Sequence, residues 1–253
     1  MRLHFKESGQ GNPLVILHGL FGSLDNWLGV APELAEHFRV FVVDLRNHGQ
    51  SPHSAEMNYP LMAGDVVKFF AEYGLAEAAV LGHSMGGKVA MQFALSHPER
   101  VQKLIVVDMA PRVYKPSHAK LIAALQSLDL SAYQTRHQIE EVLVKEIPSL
   151  AVRRFLLKNL GRDAAGELTW KINLPAIAEN YPALGEAIFT TRPFTKPSLF
   201  IRGGKSDFIR AEDEAMIRQL FPQVEIQTIE GAAHWVHADK PEEFTSRVLK
   251  FLR

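Results

Sequence analysis

The chain has 253 residues, 28 basic against 28 acidic side chains, 47% hydrophobic residues and no cysteine. Balanced charge with alternating sign argues against a nucleic-acid partner, which would call for a basic face. The lack of cysteine excludes disulfides, a thiolate nucleophile and a zinc–thiolate site.

In chain order, Leu3 to Glu7 reads as an edge strand, and the run Leu14 to His18 as a buried one. A helix-period segment, Leu24 to His37, precedes the strand Arg39 to Asp44. Helix Pro60 to Tyr73, strand Ala78 to His83, helix Met85 to Ser96 and strand Lys103 to Asp108 follow. Continuous apolar runs of this length suit a parallel sheet covered on both faces, and regular alternation with helices indicates an α/β fold. Between Pro111 and Pro197 the alternation stops: amphipathic runs at Ser117 to Leu128, Ala132 to Glu146 and Leu150 to Leu160 lead into a proline-punctuated stretch with no strand run. The pattern resumes with strand Ser198 to Gly203, helix Ala211 to Leu220, strand Val224 to Glu230 and helix Pro241 to Leu252. The expected organisation is a core of residues 1–111 and 196–253 with a helical cap over residues 112–195. Leaving from a strand C-terminus, the cap would lie over the site where such sheets bind ligands. The opening MRLHFKESGQG carries no signal-peptide stretch, and no apolar run approaches the roughly 18 residues that span a bilayer, so a cytoplasmic protein is expected. Oligomeric state leaves no signature.

Gly82-His83-Ser84-Met85-Gly86 lies between a strand and a helix. That is the setting of a G-x-S-x-G nucleophile elbow, in which a sharp turn exposes the serine and glycines let strand and helix approach closely. The helix N-terminus favours negative charge beside Ser84. Together with LHGLFG (Leu17 to Gly22), DLRNHGQS (Asp44 to Ser51), HPERV (His97 to Val101) and GAAH (Gly231 to His234), the elbow resembles the α/β-hydrolases nearly end to end, and in particular the bacterial YbfF-type esterases. The resemblance implies an α/β-hydrolase fold, a mostly parallel sheet with helices on both faces and a helical cap insertion. It also implies a serine hydrolase acting on ester bonds without a cofactor or metal.

A serine hydroxyl needs a base to take its proton. Of eleven histidines, His234 follows the last strand in the GAAH loop, where this fold places the base, so that chain order runs Ser, acid, His. His83 sits on the strand side of a turn that directs its side chain away, and most of the others fall on segments expected to be exposed. His234 and His237 lack further ligands for a metal. The acid has two candidates. Gly203-Gly204-Lys205-Ser206-Asp207 fits a G-x-x-D loop counted from its second glycine, which selects Asp207, while counting from the first places Ser206 there. Asp108, at the end of its strand, is the rival, and the YbfF-type resemblance implies that Asp108 pairs with the histidine while Ser206 is auxiliary. The oxyanion donors are expected at the backbone N–H of Met85 and at Leu20 or Phe21. Asp44 and Arg46 read as loop-ordering residues, and Phe155, Leu156, Trp170 and Tyr181 as an apolar lining.

The expected substrate is a small-molecule carboxylic ester or thioester. Carbon–carbon bond hydrolysis, lactone opening and perhydrolysis use the same machinery. Dehalogenases and epoxide hydrolases need a carboxylate where Ser84 stands. A non-catalytic ligand-binding member of the fold would retain the pocket but lack a member of the triad, and a dinucleotide-binding fold would need an early G-x-G-x-x-G that is absent.

Overall fold

In the computed structural model, which describes residues 1–253, successive residues of each apolar run enter opposite cores. Leu14 and Ile16 of β2 (Pro13–Leu17) pack with Trp27, Phe38 and Phe244, while Val15 and Leu17 pack with Phe41, Phe69 and Phe93. Both faces of the strand are covered, so the period-two pattern of a half-exposed strand is replaced by an unbroken apolar run. The other strands are β1 (Phe5–Ser8), β3 (Arg39–Val43), β4 (Ala78–His83), β5 (Val101–Val107), β8 (Ser198–Gly203) and β9 (Val224–Ile229). They form one seven-stranded sheet in the order β1-β3-β2-β4-β5-β8-β9, parallel except for the edge strand β1. Helices α1 (Ala31–Ala35) and α10 (Pro241–Leu252) cover one face. Helices α2 (Tyr59–Glu72), α3 (Met85–Ser96) and α8 (Glu214–Leu220) cover the other. A short α9 (Val236–Asp239) follows the last strand, and no helix is long and apolar enough to cross a membrane.

Two of the expected helices are shorter than their periodicity suggests. Leu24 to His37 divides into a 3-10 turn at Leu24–Trp27, closed by a capping box between Ser23 and Asn26, and the separate α1. Pro32, which can open a helix but lacks the N–H needed further in, starts that second piece. Ala211 to Leu220 likewise begins with a 3-10 turn at Ala211–Asp213 before α8.

Between β5 and β8 the chain forms α4 (Ala119–Gln126), α5 (Arg136–Val142), α6 (Leu150–Leu157) and α7 (Leu174–Leu184). Contrary to expectation it also holds an antiparallel ribbon, β6 (Leu160–Arg162) with β7 (Leu168–Trp170). Its turn is stabilised by the Asp163 carboxylate, which accepts the N–H groups of Ala165 and Glu167. Strands of three residues are too short to show alternation. Trp170 is half-buried in this ribbon and lines neither cavity beside Ser84, so it leaves the set of expected lining residues. Ile122, Leu125, Leu156 and Ile177 share a continuous apolar cluster with Phe93 beneath the sheet. Lys88 of α3, fully buried, donates to the carbonyls of Arg112 (2.9 Å) and Glu186, near the two ends of this helical segment, tying both to the sheet layer.

Candidate active site

The C-terminal ends of β2, β4, β5, β8 and β9 lie where the parallel sheet opens towards α4 and α6, and every expected catalytic and oxyanion residue follows one of them, Met85 as the first residue of α3. Ser84 links β4 to α3 with φ 53° and ψ −119°, a left-handed conformation strained for a residue with a side chain. The flanking glycines are steric necessities. A Cβ on Gly82 would stand 2.1 Å from the Gly86 carbonyl oxygen, and one on Gly86 would stand 2.5 Å from the carbonyl oxygens of Leu17 and His18. Phe21 (φ 59°) and the fully buried Asp108 (φ 49°) also have positive φ, and Phe21 lines the same cavity as Ser84.

The structure brings Ser84, His234 and Asp108 into one hydrogen-bonded line. His234 Nε2 lies 3.0 Å from Ser84 Oγ, and its Nδ1 lies 2.8 Å from Asp108 Oδ2. Asp108 is fully buried; its Oδ1 accepts the Gly203 N–H at 3.1 Å and its Oδ2 also accepts the Ser206 hydroxyl. Three donors therefore converge on a carboxylate out of water, which is how a buried charge is tolerated. Asp207 is exposed, and its only hydrogen bond is through its backbone carbonyl, which accepts from Arg112 at 3.1 Å. Phe208 stacks on the His234 ring with centroids 3.8 Å apart, limiting its rotation.

His83 departs from expectation. Its side chain packs beneath His234, ring centroids 4.7 Å apart, and its Nε2–H donates to the His234 carbonyl at 2.8 Å. His18, His48 and His237 are buried too, not exposed. His18 donates from Nδ1 to the Gly19 carbonyl (2.8 Å) and accepts the Leu45 N–H at Nε2 (2.9 Å). His48 donates from Nδ1 to the Arg46 carbonyl (2.9 Å) and accepts the Phe21 N–H at Nε2 (3.2 Å). With Phe21 so engaged, Leu20 and Met85 are left with backbone N–H groups that no protein acceptor occupies. Asp44 and Arg46 order the neighbouring loop: Asp44 accepts the N–H groups of Leu24 (2.7 Å) and Gln50 (2.9 Å), and Arg46 pairs with Asp65 at 2.6 Å.

Each of these imidazoles is held neutral. Burial lowers His18 to about 4, burial and the neighbouring His18 lower His48 to about 3, and burial beside His234 lowers His237 to about 3. His18 and His48 also accept a backbone N–H on Nε2, a bond that protonation would abolish. Unfolded histidines titrate near 6.5, so below that pH the unfolded chain takes up protons the folded chain refuses. Stability is expected to be fully present above about pH 6.5 and to fall as pH drops towards 4 and 3, by up to about 1.4 kcal/mol per pH unit for each histidine. Denaturant unfolding at pH 7.5 and 5.5 measures it; equal unfolding free energies would show that these rings become charged inside the fold.

Two cavities meet at Ser84. The larger, about 340 Å³, is lined by His234, Trp235, Leu121, Val152, Phe155 and Leu156 among others. The smaller, about 100 Å³, is lined by Tyr59, Met85, Met109, Tyr114, Tyr181 and Leu184 among others. Leu20, Ser84, His118 and Phe208 border both.

Residues 12–131 match a family described as alpha/beta hydrolase fold. The chain is 38% identical over 247 residues to the sn-1-specific diacylglycerol lipase ABHD11 of Mus musculus, covering 94% of this chain and 80% of that protein. It is 36% identical over 244 residues to esterase YbfF of Escherichia coli (strain K12), covering 95% and 93%. The solved structure of a marine microorganism esterase matches with a TM-score of 0.97 at 43% identity, over 99% of both chains. By sequence over nearly its whole length and by the order of its strands, the chain belongs to the α/β-hydrolase family.

Proposed function

We propose that the protein is a serine ester hydrolase in which Ser84 is the nucleophile, His234 the general base and then acid, and Asp108 the group that orients the imidazole. The observation that carries this reading is the unbroken line from Ser84 Oγ to His234 Nε2 (3.0 Å) and from His234 Nδ1 to Asp108 Oδ2 (2.8 Å), beside the free N–H groups of Leu20 and Met85. As Ser84 Oγ attacks the acyl carbon, its proton passes to His234 Nε2 and negative charge moves to the carbonyl oxygen. Leu20 and Met85 donate to that oxygen, each donor being worth about 10²- to 10³-fold in rate. The tetrahedral adduct collapses as His234 Nε2 protonates the leaving oxygen, freeing the alcohol and leaving an acyl-Ser84 ester. Water, deprotonated by the same nitrogen, then releases the acid. Ser206 holds Asp108 in register without touching the substrate.

Residues 112–195 act as a cap on the core formed by 1–111 and 196–253, supplying Leu121, Val152, Phe155 and Leu156 to the larger cavity. Thioesters belong to the same reading, since a thiolate leaves under the same polarisation, and so does a cytoplasmic location. Treatment with a fluorophosphonate probe, followed by peptide mass spectrometry, is expected to modify Ser84 alone. An unmodified Ser84 in folded protein would sink the proposal.

A further inference from the structure

Resting on the ester hydrolase reading, we infer that the two cavities sort the halves of the substrate, the small one taking a short acyl group and the large one an apolar alcohol. In the tetrahedral adduct the former carbonyl carbon bears four groups: Ser84 Oγ, the oxyanion, the leaving oxygen and the acyl chain. The oxyanion is directed to the N–H groups of Leu20 and Met85. The leaving oxygen must come within hydrogen-bond reach of His234 Nε2, which protonates it. His234 borders only the large cavity, as do Trp235, Val152 and Phe155, so the alcohol extends there. The remaining direction, on the Met85 side of Ser84, opens into the small cavity, which His234 does not border.

The sizes then set the substrate class. The small cavity has less than a third of the volume of the large one, about 100 against about 340 Å³, so the shorter of the two groups, a short acyl chain, belongs there. Met109 and Leu184, both nearly fully buried, close it with Tyr59 and Tyr114. The large cavity, more than three times the volume, receives a long apolar alcohol against Leu121, Phe155 and Leu156. A long acyl chain on a short alcohol is the wrong way round for this site.

Octyl acetate and ethyl octanoate, which are isomers with the same groups transposed about the ester, provide the test. The structure leads us to expect kcat/KM for octyl acetate to exceed that for ethyl octanoate by about tenfold or more, the scale on which an apolar pocket discriminates. Val152→Trp, filling the large cavity from a half-buried position on α6, is expected to lower kcat/KM for octyl acetate about tenfold and that for ethyl acetate, with its shorter alcohol, by less. Leu184→Ala, lengthening the small cavity, is expected to raise ethyl hexanoate relative to ethyl acetate by several-fold. Equal rates on the isomers would overturn the assignment, and a preference for ethyl octanoate that Val152→Trp removes would reverse the two cavities. If neither isomer is hydrolysed while a fluorophosphonate still modifies Ser84, the assignment falls and the nucleophile stands. If Ser84 is unmodified as well, the ester hydrolase reading fails and this inference with it.

Discussion

Ser84→Ala is expected to lower kcat for a soluble ester by about a millionfold while leaving the fold and its stability intact. The hydroxyl makes a single side-chain hydrogen bond, to His234 Nε2, and His234 already borders the larger cavity. Its removal therefore strands no buried polar group. The left-handed turn at φ 53° is equally strained for serine and alanine, because its cost resides in the backbone. What remains is the pair of N–H groups at Leu20 and Met85 and the binding cavities, which account for the residual rate such variants keep over water. Steady-state kinetics on purified variant, with loss of fluorophosphonate labelling as a check for contaminating esterases, measures the effect. Activity within about tenfold of the parent on folded protein would show that another group attacks the ester.

The elbow was legible in the sequence because its chemistry is local. Strand, serine, glycines and helix are consecutive, and the close approaches at Gly82 and Gly86 explain why no other residue fits. The sheet strands were legible because burial on both faces leaves continuous apolar runs, as in Leu14 to Leu17. The acid was not legible from its local pattern, since two aspartates follow neighbouring strands β5 and β8, and before the structure only the resemblance favoured Asp108 over Asp207. The buried histidines escaped for a related reason. His18 and His48 are polar residues on loops, and what buries them is a pair of reciprocal bonds to backbone groups elsewhere in sequence: His18 to Leu45, His48 to Phe21. The H-G pair that opens the oxyanion loop and the H-G pair of DLRNHG were the available signals, as each puts a histidine before a turn. Nothing local to Lys88 signals its burial, because the carbonyls that receive its ammonium, those of Arg112 and Glu186, lie 24 and 98 residues away.

Asp108→Asn is expected to lower kcat by about ten-thousandfold without unfolding the protein, and Asp207→Asn to change it less than about threefold. Asparagine matches aspartate in shape and tolerates the φ of 49° at this position better than most residues. The difference lies in its protons. Oδ1 of Asp108 accepts the Gly203 N–H and Oδ2 accepts from Ser206 and from His234 Nδ1. If the new amide nitrogen replaces Oδ2, its hydrogens point at His234 Nδ1, which must then accept. The remaining hydrogen of the neutral ring moves to Nε2, the nitrogen that has to take the proton of Ser84. If the amide turns over, its nitrogen meets the Gly203 N–H, donor against donor, inside a fully buried site where an unmet donor costs about 1–3 kcal/mol. The first arrangement prevails, and the base is held in the wrong tautomer. Ser206 can turn its hydroxyl to suit either arrangement and so does not rescue the ring. Asp207 is exposed and contributes only its backbone carbonyl, which the amide variant keeps. Kinetics on both variants, with denaturant unfolding to confirm stability, decides between the two carboxylates. A mild Asp108→Asn beside a crippled Asp207→Asn would mean that the loop after β8 moves in solution and carries its aspartate to His234, and two mild variants would mean that packing by Phe208 and His83 alone suffices to orient the imidazole.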